Sequence, residues 1–322
     1  ALKLVRRGAL LLPEVRTRFQ REAQAALKLD HPGICPVLDV GEVDGTPFLA
    51  MKLIAGSSLS QRLEQARASG QTLFANEVFE SATSVASSAG RERSSSSRST
   101  PYEASARLIE SVARALHTAH EAGLVHRDVK PGTIMVTPSG DPVLLAFGLV
   151  HDESSHGLTN TGEVLGTPSY MAPEQVRGES VTRWTDVYAL GATLYECLSS
   201  QAPFAGRSRE ALYHAIQRDE PRPLTRFGVP RGLATVVQTA MEKDPARRYR
   251  SAAAFADDLH RASTHQSLVA RPAGPVRRLT LWCRRNPTAT AAVLILASSA
   301  LALGVQAVQL KRQADRLEVA RA

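Results

Sequence analysis

The sequence predicts an α+β fold in which a small strand-bearing front portion precedes a large helical portion. Two apolar runs with strand character, residues 35–40 and 47–54, are joined by a turn at Asp44-Gly45. From residue 104 onward the apolar residues recur mostly at helical spacing. The predicted helices of the back portion are residues 104–121, 185–198, 208–217, 233–243 and 252–262.

Composition and charge exclude some classes of function. The chain has 322 residues and a net charge of +8, but its basic residues are scattered or grouped near 271–285 without interleaved aromatic residues. That pattern argues against nucleic-acid binding. The three cysteines, Cys35, Cys197 and Cys283, lie far apart and form no C-x-x-C pair. We therefore expect packed thiols in a reducing compartment rather than a disulfide framework or a zinc site.

A serine-rich segment interrupts the helical pattern. Nine of residues 81–100 are serine, and arginines flank the Ser94–Ser97 run. Such a composition buries too little apolar area to offset the entropy of ordering the chain. We predict a disordered insertion over about residues 70–103. A phosphorylated regulatory loop is the alternative, because serines beside arginines are typical kinase substrates.

A long uncharged segment follows the last predicted helix. Residues 288–310 contain no charged side chain and are rich in Ala, Leu and Val, and such a length can cross a bilayer. Basic residues stand on both sides, so charge alone does not set an orientation. The sequence thus predicts a basic juxtamembrane linker at 264–287, a transmembrane helix at 288–310 and a further segment beginning at 311–322. A buried core helix is the alternative.

Three motifs occur in order in the middle of the chain. His126-Arg127-Asp128-Val129-Lys130-Pro131 is followed, eighteen residues after Asp128, by Ala146-Phe147-Gly148, and then by Gly166-Thr167-Pro168-Ser169-Tyr170-Met171-Ala172-Pro173-Glu174. With these motifs, residues 1 to about 263 resemble the membrane-anchored serine/threonine protein kinases of bacteria. The resemblance implies a two-lobe, protein-kinase-like fold. Residues 1–55 would be a partial front lobe without the strands of the Gly-rich loop, and residues 56–263 the helical back lobe.

The resemblance also implies the chemistry of the site. Phosphoryl transfer requires that the phosphates of ATP be positioned and their charge neutralised. Asp128 would be the catalytic base, and Lys130 would contact the γ-phosphate. Lys3 would hold the α- and β-phosphates and be positioned by Glu22. The adenine pocket would be formed by Met51 as gatekeeper, the backbone of Lys52 to Ile54, and Met135 as its floor.

Further positions are implied for the activation segment and the scaffold. Thr167 indicates a preference for Ser/Thr over Tyr substrates. Thr159 and Thr161 lie where this family is commonly phosphorylated, and Arg127 would pair with that phosphate. An unmodified loop is the alternative. Structural rather than catalytic roles are implied for Glu174, Asp186 and Arg248, with Glu174 paired to Arg248.

Two metal ligands of the family are replaced in this sequence. The D-F-G aspartate is Ala146, and the catalytic-loop asparagine is Thr133. Alanine cannot bind a metal, and one neutral hydroxyl is a poor ligand for Mg²⁺. Losing the metal clamp should lower the rate by on the order of three powers of ten or more. We therefore expect weak ATP binding and doubt a Mg²⁺ site.

Three functions are compatible with this pattern. The first is a catalytically impaired Ser/Thr kinase homologue that acts as a membrane-tethered signalling scaffold. The second is a weakly active Ser/Thr kinase, and the third is a remnant that neither binds ATP nor signals. The resemblance places the kinase-like domain in the cytoplasm and residues 311–322 outside the cell membrane. The expected partners are the membrane and a protein substrate or signalling partner, and a homodimer is left open.

Overall fold

The structure is a computed structural model that describes residues 1–4, 13–43, 46–74, 100–145, 168–206, 208–270, 283 and 287–319. The chain divides into two units, residues 1–270 and 271–322. The strands and the sequence motifs all lie in the first unit. Its order of elements, short strands in front and helices behind, confirms the predicted α+β class.

The front sheet is formed by β1 (Leu2–Leu4), β2 (Val37–Val43) and β3 (Thr46–Met51), in the antiparallel order β1-β3-β2. Helix α1 (Pro13–Leu27) covers this sheet. Phe19, Ala23 and Ala26 of α1 share a buried cluster with Leu49 of β3. Lys3 is directly opposite Leu49 in the β1–β3 ladder, so its side chain lies on the same face as this core residue.

A second small sheet follows the connection from β3. It contains β4 (Ser57–Ser58), β5 (Ile134–Val136) and β6 (Pro142–Leu144) in the order β4-β5-β6. The two sheets are linked because Ile34, just before β2, forms a parallel bridge with Leu144 of β6. The predicted catalytic loop ends at β5 and therefore lies at this junction.

The back portion is helical and is built around one buried helix. Its helices are α2 (Leu59–Ala68), α3 (Pro101–Glu121), α4 (Pro173–Val176), α5 (Arg183–Ser199), α6 (Arg209–Arg218), α7 (Arg231–Ala240) and α8 (Ala252–Ser263). Every residue of α5 from Thr185 to Ser199 is buried. Gly191 permits α5 and α7 to pack closely. A Cβ at position 191 would lie only 2.8 Å from the Cβ of Ala240 in α7. Helix α5 is therefore the frame to which the other helices are attached.

The folded structure extends into both ends of the predicted insertion. Leu73 is buried after the end of α2, and Thr100 caps α3. The Thr100 hydroxyl accepts the N–H of Glu103 at 3.2 Å, and the Glu103 carboxylate accepts the N–H of Thr100 at 3.0 Å. This reciprocal cap fixes the start of the helix at Pro101, within the last residues of the predicted insertion. Residues 75–99 lie outside the described part of the chain.

The predicted linker also begins later than expected. Asp258 of α8 is completely buried and accepts the backbone N–H groups of Val269 at 2.9 Å and Ala270 at 2.7 Å. These bonds hold the chain beyond α8 against the first unit. Residues 264–270 therefore belong to the folded unit and not to a free linker.

The second unit contains helix α9 (Pro287–Val319). In the described part of the chain, no helix is sufficiently long and apolar to span a bilayer, so the predicted transmembrane helix is not found. The stretch 288–310 has no charged side chain and contains six polar ones: Thr288, Thr290, Ser298, Ser299, Gln306 and Gln309. The helix also continues without a break through Lys311 and Arg312, so the segment predicted to begin at 311 is not separate from it.

Replacing Phe255 by alanine should lower the free energy of unfolding by about 3–5 kcal/mol. Its ring is fully buried and packs edge-on against Tyr249 at 5.4 Å, so truncation leaves a cavity in the α8 core. Urea denaturation followed by fluorescence measures the change. Val269→Ala, at a side chain that is 70% exposed, is the control and should change stability by less than about 0.5 kcal/mol. Equal losses in the two variants would contradict this packing.

Candidate active site

The backbone of the catalytic loop is fixed by one buried carboxylate. Asp186 of α5 accepts the N–H of His126 at 2.7 Å and the N–H of Arg127 at 2.8 Å. It also forms a hydrogen bond with Nε2 of His120 at 2.8 Å. Arg127 has a left-handed backbone, with φ of 67°, which is unfavourable for a residue with a side chain. The carboxylate therefore stabilises a loop conformation that the local sequence alone does not favour.

His126 connects this loop to the strand side of the site. Burial lowers the pKa of His126, so its imidazole is neutral near pH 7. Nε2 donates to the carbonyl of Leu145 at 3.0 Å, and Nδ1 accepts the N–H of Asp128 at 3.3 Å. Both bonds require the same tautomer, with the proton on Nε2. His126 therefore positions Asp128 and the residue that precedes Ala146.

Asp128 and Lys130 form the charged centre of the loop. Nζ of Lys130 lies 2.9 Å from Oδ1 and 2.8 Å from Oδ2 of Asp128. The side chain of Lys130 is 26% exposed and that of Asp128 is 35% exposed. The pair therefore faces the cleft rather than the core. The structure thus places the predicted base next to the predicted γ-phosphate lysine.

Thr133 closes the same loop through its hydroxyl. Oγ1 lies 3.0 Å from the carbonyl of Asp128 and 2.9 Å from the carbonyl of Lys130, either of which accepts its proton. It also accepts the N–H of Lys130 at 3.1 Å. A hydroxyl has one proton and two lone pairs. Thr133 therefore uses its proton and one lone pair to hold the backbone of the loop.

Lys3 faces this charged centre from β1. Burial lowers the pKa of Lys3, the carboxylate of Asp128 raises it, and the ammonium group of Lys130 lowers it again. The three groups therefore interact electrostatically across the cleft. Two ammonium groups and one carboxylate leave a local excess of positive charge, which favours a polyphosphate.

Glu22 is not paired with Lys3, and this prediction is wrong. The carboxylate of Glu22 is bound by the guanidinium of Arg127, with N–O distances of 3.0 Å and 2.6 Å. A guanidinium presents two parallel donors to a carboxylate, whereas an ammonium is a point charge. Arg127 thus contacts a carboxylate of α1, where the sequence predicted a phosphate of the activation segment.

The predicted adenine pocket lies at the connection between the two sheets. Met51 ends β3 and Met135 lies in β5, and both side chains are half-buried. Between the sheets, the carbonyl of Lys52 accepts the thiol of Cys35 at 3.3 Å, and Ile54 is half-buried. A thiol is a weak donor and a carbonyl has two lone pairs, so this carbonyl keeps acceptor capacity for a further donor.

The predicted pair of Glu174 and Arg248 is present and buried. Two nitrogen atoms of Arg248 lie 2.6 Å and 2.7 Å from the two carboxylate oxygens, and the hydroxyl of Thr185 donates to Glu174 at 2.9 Å. Burial raises the pKa of Glu174, but the hydrogen bonds and charge of Arg248 outweigh it and hold the pKa below its ordinary value. Four predicted site residues lie outside the described residues: Ala146, Thr159, Thr161 and Thr167.

Comparison with known proteins agrees with this arrangement. The family described as "Protein kinase domain" matches residues 1–259. This chain belongs to the protein kinase family. Its kinase domain is homologous to those of bacterial serine/threonine protein kinases.

Two curated kinases illustrate the relationship. Serine/threonine-protein kinase PknD of Mycobacterium tuberculosis is 37% identical over 252 residues, which cover 77% of this chain and 33% of that protein. Probable serine/threonine-protein kinase PknB of Corynebacterium glutamicum is 34% identical over 275 residues, covering 82% of this chain and 38% of that protein. The chain therefore spans little more than a third of the length of these relatives.

Solved kinase domains share the fold. A crystal structure of the Mycobacterium tuberculosis PknI kinase domain superposes with a TM-score of 0.58 at 29% sequence identity, covering 82% of this chain and 84% of that one. A second structure of the same domain has a TM-score of 0.56 at 27% identity, covering 81% and 84%. The two-lobe interpretation of the sequence agrees with this similarity.

A cluster of three polar side chains in this kinase fold was not predicted from the sequence. Glu196 of α5 is buried and binds the hydroxyl of Tyr170 with one oxygen and Arg67 of α2 with the other. Arg67 also donates to the carbonyl of Ser200 at 2.7 Å. Burial and the nearby carboxylate raise the pKa of Tyr170, which stays a hydrogen-bond donor. The available signal was that Glu196 is the single charged residue of 187–199, inside an otherwise apolar helix.

Replacing Glu174 by glutamine should lower stability at pH 7 by about 3–5 kcal/mol, because Arg248 is left as a buried, unpaired charge. The variant should also lose less stability than the wild type at acidic pH. The folded-state pKa of Glu174 is depressed below 4.5, so its stabilising contribution is present above that pH and is lost as the pH falls through the folded pKa. Urea denaturation between pH 3 and 7 measures both effects.

Glu179→Gln is the matched control, because its partner Arg177 forms an exposed pair. This control should change stability little at any pH. Parallel pH profiles for wild type and Glu174→Gln would contradict the ion-pair assignment.

Proposed function

We propose that this protein is a serine/threonine kinase homologue whose phosphoryl transfer is impaired and which acts as a signalling scaffold for a protein partner. The observation that carries the proposal is the use of the Thr133 hydroxyl. It is bonded to the backbone of Asp128 and Lys130 at 2.9–3.1 Å. The position that holds a metal ligand in the family therefore serves here to close the loop.

The donors at this site do not fit a catalytic magnesium ion. Mg²⁺ requires oxygen ligands in near-octahedral geometry. Alanine at position 146 supplies none, and Thr133 retains one neutral lone pair. Among the described residues there is no group of three or more Asp, Glu, His or Cys that could hold a metal. This set of donors does not support a transfer step through a metal.

The remaining groups support weak binding of ATP itself. Lys3 and Lys130 bring positive charge to the cleft, and Asp128 offsets part of it. The carbonyl of Lys52, with Met51 and Met135 nearby in the fold, provides an acceptor and apolar surface for adenine. Such a site would bind the nucleotide by charge and stacking without a metal bridge. ATP would then act as a structural ligand that stabilises the surface to which the partner protein binds.

A weakly active kinase is the second candidate. It is favoured by the contact of 2.8–2.9 Å between Asp128 and Lys130, which keeps a base and a phosphate-binding lysine side by side. Any activity would then depend on a metal held mainly by the nucleotide. Binding and transfer assays separate this candidate from the scaffold, and a remnant without function would show neither.

ATP with EDTA should raise the melting temperature of the protein by about 2–4 °C at ten times its dissociation constant. Added magnesium should not increase the shift. Lys3→Met should abolish the shift, because it removes a half-buried ammonium at the cleft. Lys28→Met, at an exposed lysine just after the end of α1, is the control and should retain it. Absence of a shift in the wild type would contradict nucleotide binding, and a shift that requires magnesium would favour the weakly active kinase.

The double substitution Thr133→Asn and Ala146→Asp should restore magnesium-dependent phosphate transfer. The gain over wild type should be on the order of three powers of ten, since two metal ligands return. Transfer of labelled phosphate to a generic acceptor protein measures it. Asp128→Asn added to the double variant is the control and should remove the gain. An unaltered protein that already transfers phosphate at the rate of the double variant would overturn the impairment.

A further inference from the structure

We infer that Glu22 supplies, from within the chain, the anion that Arg127 binds, so that the catalytic loop is held to α1 without a phosphate. The inference concerns the regulation of the kinase-like site and rests on the proposed function for its meaning. It assigns Glu22 as a positioning residue of the loop rather than of Lys3. It follows from the position of Glu22 on α1, from the geometry of its contact with Arg127, and from the hydrogen bonds that hold the backbone of Arg127.

Glu22 lies on the inward face of α1. Three buried residues lie near Glu22 on the helix, three positions before it and one and four positions after it. They are Phe19, Ala23 and Ala26, which are 4%, 0% and 3% exposed. Residues at this spacing form one face of a helix. The carboxylate is therefore directed by its own helix toward the interior, where its side chain is only 17% exposed.

Arg127 presents its guanidinium from a backbone that is held at both ends. Its N–H is bound by Asp186 at 2.8 Å, and its carbonyl accepts Nε2 of Gln175 at 2.9 Å. The side chain, 18% exposed, reaches Glu22 with two nitrogen atoms. Because these bonds hold the backbone of Arg127, pairing with Glu22 has to order only the side chain. The pair thus links α1 of the front lobe directly to the catalytic loop.

The contact has a regulatory consequence. A carboxylate that accepts both donors of the guanidinium occupies the geometry in which the same fork would bind a phosphate. An external phosphate must therefore displace Glu22 before it can reach Arg127. Lys3 meanwhile interacts with Asp128 and Lys130, so the functions of Lys3 and Glu22 are separate. The loop conformation should then be independent of phosphorylation.

The inference is tested by opening the site and offering the missing anion. In sodium chloride, Glu22→Ala should lower the melting temperature by about 5 °C, because Arg127 loses its partner. Inorganic phosphate at matched ionic strength should restore about 2 °C or more of that loss. The shift caused by phosphate should be larger in Glu22→Ala than in wild type or in the double variant Glu22→Ala, Arg127→Ala, which measure phosphate binding elsewhere in the cleft. Glu110→Ala, which removes the carboxylate partner of Arg114 on α3, is the matched control and should not be rescued by phosphate.

A double-mutant cycle supplies the second measurement. Glu22→Gln and Arg127→Ala should be strongly non-additive in thermal stability, whereas Glu22→Gln and Lys3→Met should be additive. Glu22→Gln keeps the shape of the side chain, so this cycle remains decisive where the alanine variant fails to fold. Additive effects for Glu22 and Arg127, or equal stabilisation of wild type and Glu22→Ala by phosphate, would overturn the inference. Neither measurement contains nucleotide or phosphate transfer, so its failure leaves the ATP and transfer experiments to decide the proposed function.

Discussion

The rest of the site depends on the buried carboxylate of Asp186. It fixes the N–H groups of His126 and Arg127 and so sets the left-handed turn of the loop. From that turn, the imidazole positions Asp128 and the guanidinium reaches Glu22. Asp186 itself belongs to the helix whose interior residues are all buried. The catalytic loop is thus attached to the most buried element of the back portion, and its geometry follows from the packing of that helix.

Phosphoryl transfer has two requirements, positioning of the reacting groups and neutralisation of the phosphate charge, and this chain separates them. Positioning is provided by hydrogen bonds that remain intact, including those that Thr133 forms with the loop backbone. Neutralising the phosphate charge requires metal ligands, and the sequence lacks them at positions 133 and 146. Threonine satisfies the first requirement and not the second, because a hydroxyl that donates to a carbonyl still supports the loop. The hydrogen bonds of the catalytic loop are therefore kept with threonine at position 133.

A contact could be predicted where a sequence motif determines both partners. It could not be predicted where it depends on the relative position of two elements in the fold. The order of strands and helices and the pairing of Glu174 with Arg248 follow from local patterns and motif order. The partner of Glu22 does not, since a carboxylate on α1 can reach either a lysine of β1 or an arginine of the catalytic loop. The choice between them is made by the distance between α1 and the loop, which no local pattern specifies.

The same limit applies to charge in the interior. Glu196 could be recognised as unusual in an apolar helix, but its partners come from α2 and from the segment before α4. The unusual residue was visible in the sequence, and its role depended on partners distant in sequence.

The two ends of the serine-rich segment have a consequence for how this chain can change in length. Leu73 is buried on one side and the reciprocal cap at Thr100 starts α3 on the other, so the flanking helices are secured independently of what lies between them. The entropy of closing a flexible loop rises by only about 0.6 kcal/mol for each doubling of its length. Large additions or deletions between residues 75 and 99 are therefore tolerable to the fold.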